Sequence, residues 1–101
     1  MQDTISALGG RHSYRNSTTI ATTICKTSPG ILHSVTINKT GAAANVLTIY
    51  DNTAASGNKI ATILTTITNA PLTLIYDLAF TTGLTIDVTV GTAADITVTF
   101  I

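Results

Sequence analysis

The side chains in this sequence that could carry chemistry are two histidines, one cysteine and five aspartates. His12 and His33 are far apart in the chain, and no His-x-His, Cys-x-x-Cys or His-Glu-x-x-His spacing occurs, so the sequence predicts no zinc site. Cys25 stands alone and cannot form an internal disulfide. No base accompanies it in the sequence, so we expect a small, unreactive thiol.

Paired aspartates could act as a general acid and a general base. However, Asp51 and Asp95 stand at the ends of predicted strands, and Asp87 occupies an outward strand position. Aspartate at such corners accepts backbone hydrogen bonds, so we expect turn or surface roles for these carboxylates. A calcium site at Asp51 is an alternative, although the Asp-x-Asp-x-Asp pattern is missing. The sequence therefore predicts neither an enzyme nor a bound cofactor.

Threonine, isoleucine and valine dominate the chain, and these β-branched residues favour strands. Turn sequences such as Ser-Pro-Gly at 28–30 and Thr-Thr-Gly at 81–83 separate the apolar stretches. The predicted strands span residues 18–26, 31–38, 45–51, 59–67, 72–80, 84–90 and 95–101. This pattern predicts an all-β chain: a single, jelly-roll-like β-sandwich of about seven antiparallel strands.

Alternation of apolar and polar residues identifies the core side of these strands. The residues predicted to be mostly buried are Leu74, Tyr76, Leu78, Phe80, Ile86, Val88, Val98 and Phe100. Threonine recurs on the opposite, outward side. In the strand at 31–38, Leu32 faces away from Ile31 and Val35, and a β-bulge near His33 would reconcile this pattern.

Residues 1–17 lack such alternation and are predicted to form an irregular N-terminal arm, which leaves 18–101 as the sandwich domain. The arm contains the basic cluster Arg-His-Ser-Tyr-Arg, which either docks on an acidic neighbour or is a solvated terminus. The loop at 52–58 consists of small residues and is either a tolerant hairpin loop or a contact loop. The predicted partner-binding residues in these two segments are Arg11, His12, Tyr14, Arg15, Asn52, Thr53, Ser56 and Asn58.

Charge also constrains the partners. Only 10% of the residues are charged and the formal net charge is zero, so the dense basic patch that nucleic acid requires is missing. No apolar run reaches the ~18–20 residues of a membrane span, and the start of the chain does not resemble a secretory signal. Few charges give poor protection against self-association, and threonine costs little entropy to bury, so we expect protein partners to cover much of the surface.

Two stretches carry a family resemblance: ILHSVTINKTGAAANVLTIYDNTAASGNKIATI and LTLIYDLAFTTGLTIDVTVGTAADITVTFI. They combine a Gly-x-Leu-His strand at 30–38, a Tyr-Asp-Asn strand end at 50–52 and a small-residue loop at 54–57. An Ile-Ala-x-Ile strand at 60–63, a Phe-x-x-Gly-Leu segment at 80–86 and a final Asp-Ile-Thr-Val strand at 95–98 follow. Over residues 18–101 the chain resembles small β-sandwich structural proteins of tailed bacteriophages.

This resemblance implies a capsid decoration, or cement, protein on the virion surface, made in the host cytoplasm. Its expected partners are the major capsid protein and further copies of itself, with a trimer favoured over a dimer. A tail or baseplate component is an alternative of the same origin. A small module that binds a host-surface glycan is an alternative of another class, although most of the five aromatic residues fall at predicted core positions.

Overall fold

The structure is a computed structural model that describes residues 12–101. In this part of the chain all regular structure is β-strand, and no helix occurs. The eight strands are β1 (Ser13–Ser17), β2 (Ala21–Lys26), β3 (Gly30–Lys39), β4 (Val46–Asp51), β5 (Asn58–Leu64), β6 (Leu72–Phe80), β7 (Leu84–Thr89) and β8 (Asp95–Phe100). The prediction of an all-β chain is therefore confirmed.

The strands form two antiparallel sheets of four strands each. Sheet A has the order β1-β8-β3-β6, and sheet B has the order β2-β7-β4-β5. Within these sheets the first strand pairs with the last, the second with the seventh, the third with the sixth and the fourth with the fifth. The chain thus pairs like one long hairpin, with β1 to β4 as one arm and β5 to β8 as the other. Successive strand pairs of this hairpin alternate between sheet A and sheet B.

The two sheets share one hydrophobic core, to which strands of both contribute. Its buried residues are Leu32, Val35, Ile37, Leu47, Ile49, Ile63, Phe80, Leu84, Ile86, Val88, Ala94, Ile96, Val98 and Phe100. Five of the eight residues predicted as core are in this set. Leu74, Tyr76 and Leu78 pack against it and are only partly buried, because β6 is an edge strand with a neighbour on one side.

The predicted bulge near His33 is present. The register of β3 shifts between Leu32 and Ser34 against both β6 and β8. On β6 the matching irregularity includes Asp77, whose φ of 48° lies in the left-handed region that aspartate tolerates. Leu32 is consequently fully buried, while Ile31 is exposed.

The prediction of an irregular segment up to residue 17 is wrong for Ser13–Ser17, because these residues form β1 at the edge of sheet A. Four of the five are exposed, so their side chains do not alternate between apolar and polar. The strand is instead held by backbone pairing with β8, from Ser13 opposite Phe100 to Ser17 opposite Ile96. Residues 1–11 of the predicted arm lie outside the described residues.

Candidate functional site

The outer face of sheet A carries a row of side chains that crosses all four strands. Tyr14 on β1 stands opposite Thr99 on β8, Thr99 stands opposite Ser34 on β3, and Ser34 stands opposite Ile75 on β6. The central hydroxyls of Ser34 and Thr99 are 2.6 Å apart and hydrogen-bonded. The two ends of the row are apolar and prominent, since Tyr14 is 70% and Ile75 is 61% exposed.

Beside this row lies a small histidine cluster. The rings of His12 and His33 are tilted by 34° with centroids 4.5 Å apart. Nδ1 of His33 is paired with the carboxylate of Asp77, whose side chain is still 60% exposed. The bulges in β3 and β6 place His33 and Asp77 on the same face, which residue spacing alone did not indicate.

On the other side of the row the outer face is covered by amides and hydroxyls. Asn16 donates to Oδ1 of Asp95 at 2.7 Å, and Asn38 donates to Asp95 at 3.2 Å and to Thr97 at 3.0 Å. Thr36 and Thr73 bond to each other across β3 and β6 at 2.9 Å. These contacts hold the side chains of the face in fixed positions, so burying them against a partner would order little that is not already ordered.

The loop between β4 and β5 is organised by Asn52. Its Oδ1 accepts from the backbone N–H of Thr53 at 2.8 Å, and its Nδ2 donates to the carbonyl of Ser56 at 2.8 Å. Gly57 follows with a φ of 82°, a conformation in which glycine has no steric penalty. Asn52 is thus used inside the loop, whereas Thr53, Ser56 and Asn58 are exposed and available to a partner.

Asp51 fastens this loop to the neighbouring turn. Its carboxylate accepts backbone N–H bonds from Thr81 at 2.9 Å and from Thr82 at 2.8 Å, with a longer bond of 3.4 Å from Gly83. These hydrogen bonds lower the pKa of Asp51 below its ordinary value, and the bond from Thr81 has the largest effect. The expected backbone role of Asp51 is therefore confirmed.

Asn45 is buried and makes several hydrogen bonds at the end of the sheets opposite the β4–β5 loop. Its Nδ2 donates to the carbonyls of Thr89 and Val90, and its Oδ1 accepts from the hydroxyl of Thr65 at 2.6 Å and from the backbone N–H of Ala94 at 3.1 Å. The sequence pattern indicates Asn45 only as the first residue of the predicted strand 45–51. A lone asparagine between small residues gives no sequence signal of such a network.

Cys25 lies on β2 and packs against the core. Burial raises the pKa of its thiol to about 11, and the nearby Arg15 charge only partly opposes that effect. The thiol is consequently protonated at neutral pH and is a poor nucleophile. Arg15 itself is exposed on β1 at the open edge of sheet A.

The topology brings the two predicted contact segments to one end of the molecule. His12 precedes β1, and its ring lies against that of His33 near the start of β3. Ile101 is bonded to Ile31 at the start of β3, and β4 and β6 also finish at this end, where Asp51 and Thr81 meet. Tyr14 is on β1 of sheet A and His12 precedes that strand. Thr53 and Ser56 lie in the loop of sheet B that Asn58, the first residue of β5, closes, and Arg11 lies outside the described residues.

Residues 12–101 contain no pocket and no group of three metal-ligating side chains. Nor does a helix long and apolar enough to cross a membrane occur in that part of the chain. Of the aromatic side chains, Phe80 and Phe100 are buried, Tyr50 and Tyr76 are partly buried, and Tyr14 is exposed.

Comparison with protein-family models, with curated proteins and with solved structures gives no match to this chain.

Proposed function

We propose that the two sheets form a jelly-roll β-sandwich and that the protein is a structural component of a phage virion, most specifically a capsid decoration protein. The observation that carries this proposal is the strand order, β1-β8-β3-β6 beside β2-β7-β4-β5. A long hairpin divided between two sheets in this way is the arrangement of eight-stranded jelly rolls, which recur in viral capsids. The same fold also occurs in proteins with other functions, so the surfaces supply the further argument.

The outer surfaces suit a protein that is covered by neighbours. On sheet B, as on sheet A, hydroxyl side chains occupy outward positions, and the Thr22 hydroxyl donates to Asp87 at 2.8 Å across β2 and β7. Opposite Asp87 stands Thr48, and Thr48 in turn stands opposite Thr62. Short side chains of this kind cost less entropy to bury than lysine or glutamate, which favours repeated contacts in an assembly.

The function would be mechanical. Each subunit lies across a junction between capsid subunits and adds buried area, which increases the work needed to separate them. A typical specific interface buries roughly 1,600 Å² in total, and repetition over a shell strengthens modest individual contacts. The exposed tip of the β4–β5 loop, held rigid by Asp51 and Asn52, is the proposed contact with the capsid.

The test is attachment to particles that lack the protein. Ser56→Arg places a bulky cation on the exposed loop tip, and we expect it to weaken attachment at least about tenfold, as clashes and unpaired charges at a contact do. Thr68→Arg is the matched control, because Thr68 is exposed on the β5–β6 connection, at the opposite end of the strands. Equal attachment of both variants would exclude the loop as the contact.

Particle density then separates the alternatives. Density on the head supports the decoration role, whereas density confined to the tail or baseplate supports the other virion role. Failure of the wild-type protein to associate with any particle would contradict the proposal as a whole. Glycan binding is less favoured by the surface, because sugar stacking uses exposed aromatic rings and Tyr14 is the strongly exposed ring among residues 12–101.

A further inference from the structure

The row formed by Tyr14, Thr99, Ser34 and Ile75 is approximately symmetric about its centre. Its two apolar members lie on the two edge strands of sheet A, and its two hydrogen-bonded hydroxyls lie on the two central strands. A line parallel to the strands, midway between β8 and β3, therefore divides the row into two halves of similar character. Two copies of such a surface can face each other about a two-fold axis that is parallel to this line and lies midway between the two stacked sheets.

We propose that the outer face of sheet A binds the same face of a second copy of this chain. Rotation about the proposed axis stacks two sheets with their strands aligned, as in other sheet-on-sheet packings. It places Tyr14 of each copy against Ile75 of the other, so both exposed apolar side chains become buried. This inference goes beyond the proposed function and does not depend on it, since it concerns the isolated protein.

The charged side chains of this face lie outside the row. The ring of His12 lies against that of His33 on β3, next to the proposed axis, with the centroids 4.5 Å apart. Asp77 is already paired with His33 of its own chain but keeps 60% of its side chain exposed. No lysine or arginine occurs in the row from Tyr14 to Ile75, and Lys39, at the far end of the face, stands opposite Asp95 of its own chain.

The size of the face limits the affinity. Four strands spaced ~4.8 Å apart and roughly 20–30 Å long present a footprint of about 400–600 Å². Two such faces bury roughly 800–1,200 Å² in total, at the low end of specific interfaces. The expected dimer is therefore weak, with dissociation in the micromolar range or above. This two-fold contact differs from the trimer that the family resemblance favours.

Sedimentation equilibrium from about 1 µM to about 1 mM tests the proposal across the range that a small interface requires. We expect a monomer–dimer equilibrium that Tyr14→Thr and Ile75→Thr each weaken at least about tenfold. The control is Leu64→Thr, because Leu64 is 64% exposed and lies on the edge strand of sheet B. All three positions are exposed, so unchanged melting temperatures should accompany the measurements.

Crosslinking tests the geometry of the dimer. In a Cys25→Ala background, Tyr14→Cys and Ile75→Cys are made as separate proteins and treated with a short bismaleimide that spans about 10 Å, the spacing of stacked sheets. The mixture should form covalent dimers, whereas each protein alone should not. Two copies of position 14 would be offset by three strand spacings, about 14 Å, in addition to the separation of the sheets.

Three outcomes would overturn the proposal: a monomer throughout the concentration range, a dimer that is insensitive to both threonine substitutions, or crosslinking of either cysteine variant to itself. If the protein is monomeric and the same substitutions weaken attachment to particles, the face belongs to the capsid contact instead. None of these results would by itself decide the decoration role.

Discussion

At the scale of single residues, Asp51 acts as a clamp: its carboxylate joins the end of β4 to the β6–β7 turn by hydrogen bonds. It ends β4, yet its carboxylate is bonded to backbone N–H groups of the β6–β7 turn, about thirty residues further along the chain. The turn sequence Thr-Thr-Gly supplies these donors because its N–H groups are not used in a strand ladder. A partly exposed side chain thus joins two loops at one end of the sheets.

Asp51→Asn should lower stability at neutral pH but have little effect in acid. The folded-state pKa is depressed, so the stabilisation is complete above the unfolded pKa, about 3.9, and is lost as the pH falls through the folded value. Urea denaturation of both proteins at neutral pH and at several acidic pH values measures this difference. Asp87→Asn is the control, since Asp87 accepts from the Thr22 hydroxyl, which an amide oxygen replaces. A difference that does not change with pH would contradict the clamp.

At the scale of elements, β1 is the strand that the sequence pattern missed. Four of its five side chains are exposed, and only Ser17 is buried. Backbone pairing with β8 is what defines it, and that pairing also covers the edge of β8. The domain boundary expected after residue 17 would therefore separate β1 from the sheet to which it belongs.

Two truncations separate the strand from the preceding residues. Removal of residues 1–11 should leave the stability nearly unchanged, because β1 is retained. Removal of residues 1–17 should cost about 1–2 kcal/mol, since the hydrogen bonds lost are largely offset by the entropy that the short strand regains. It should also promote aggregation, because the edge of β8 is then unpaired. Thermal melts and light scattering measure both effects, and identical behaviour of the two truncations would show that β1 contributes nothing.

At the scale of the whole molecule, Asn45 connects the ends of both sheets. Its side chain reaches the chain after β5 and β7 of sheet B and the segment that leads into β8 of sheet A. Gly91, in the same region, has a φ of 67°, and a Cβ there would collide with the carbonyls of Ala42 and Ala43. The three connections at this end are therefore closely packed around one amide group.

Asn45→Ala should cost about 3 kcal/mol or more, because several buried donors and acceptors lose their partner at once. Thr65→Val should cost less, about 1–2 kcal/mol, since it removes one hydroxyl and keeps the shape of the side chain. Asn16→Ala is the control: the Asn16 amide donates a hydrogen bond to Asp95 but is exposed, so the expected loss is below about 1 kcal/mol. Chemical denaturation gives the three values, and equal losses for Asn45 and Asn16 would contradict the role of burial.

The sequence by itself determined the strands whose side chains alternate. Residues 72–80 were predicted with their observed bounds, because an apolar side packed on a core and a polar side in water impose a period of two. Seven of the eight strands and the bulge at His33 follow from that local pattern. The exposed loop at Thr53, Ser56 and Asn58 follows from turn chemistry instead, since small and polar residues indicate a connection between strands.

Only the tertiary structure decided which strands are neighbours and which distant residues meet. β1 has no alternation to detect, because its existence depends on the edge of β8, which is more than seventy-five residues away in the chain. The pairing of His33 with Asp77 and the network of Asn45 depend in the same way on long-range register. The row from Tyr14 to Ile75 is the clearest case, since its four members become one surface only when β1, β8, β3 and β6 pair in that order.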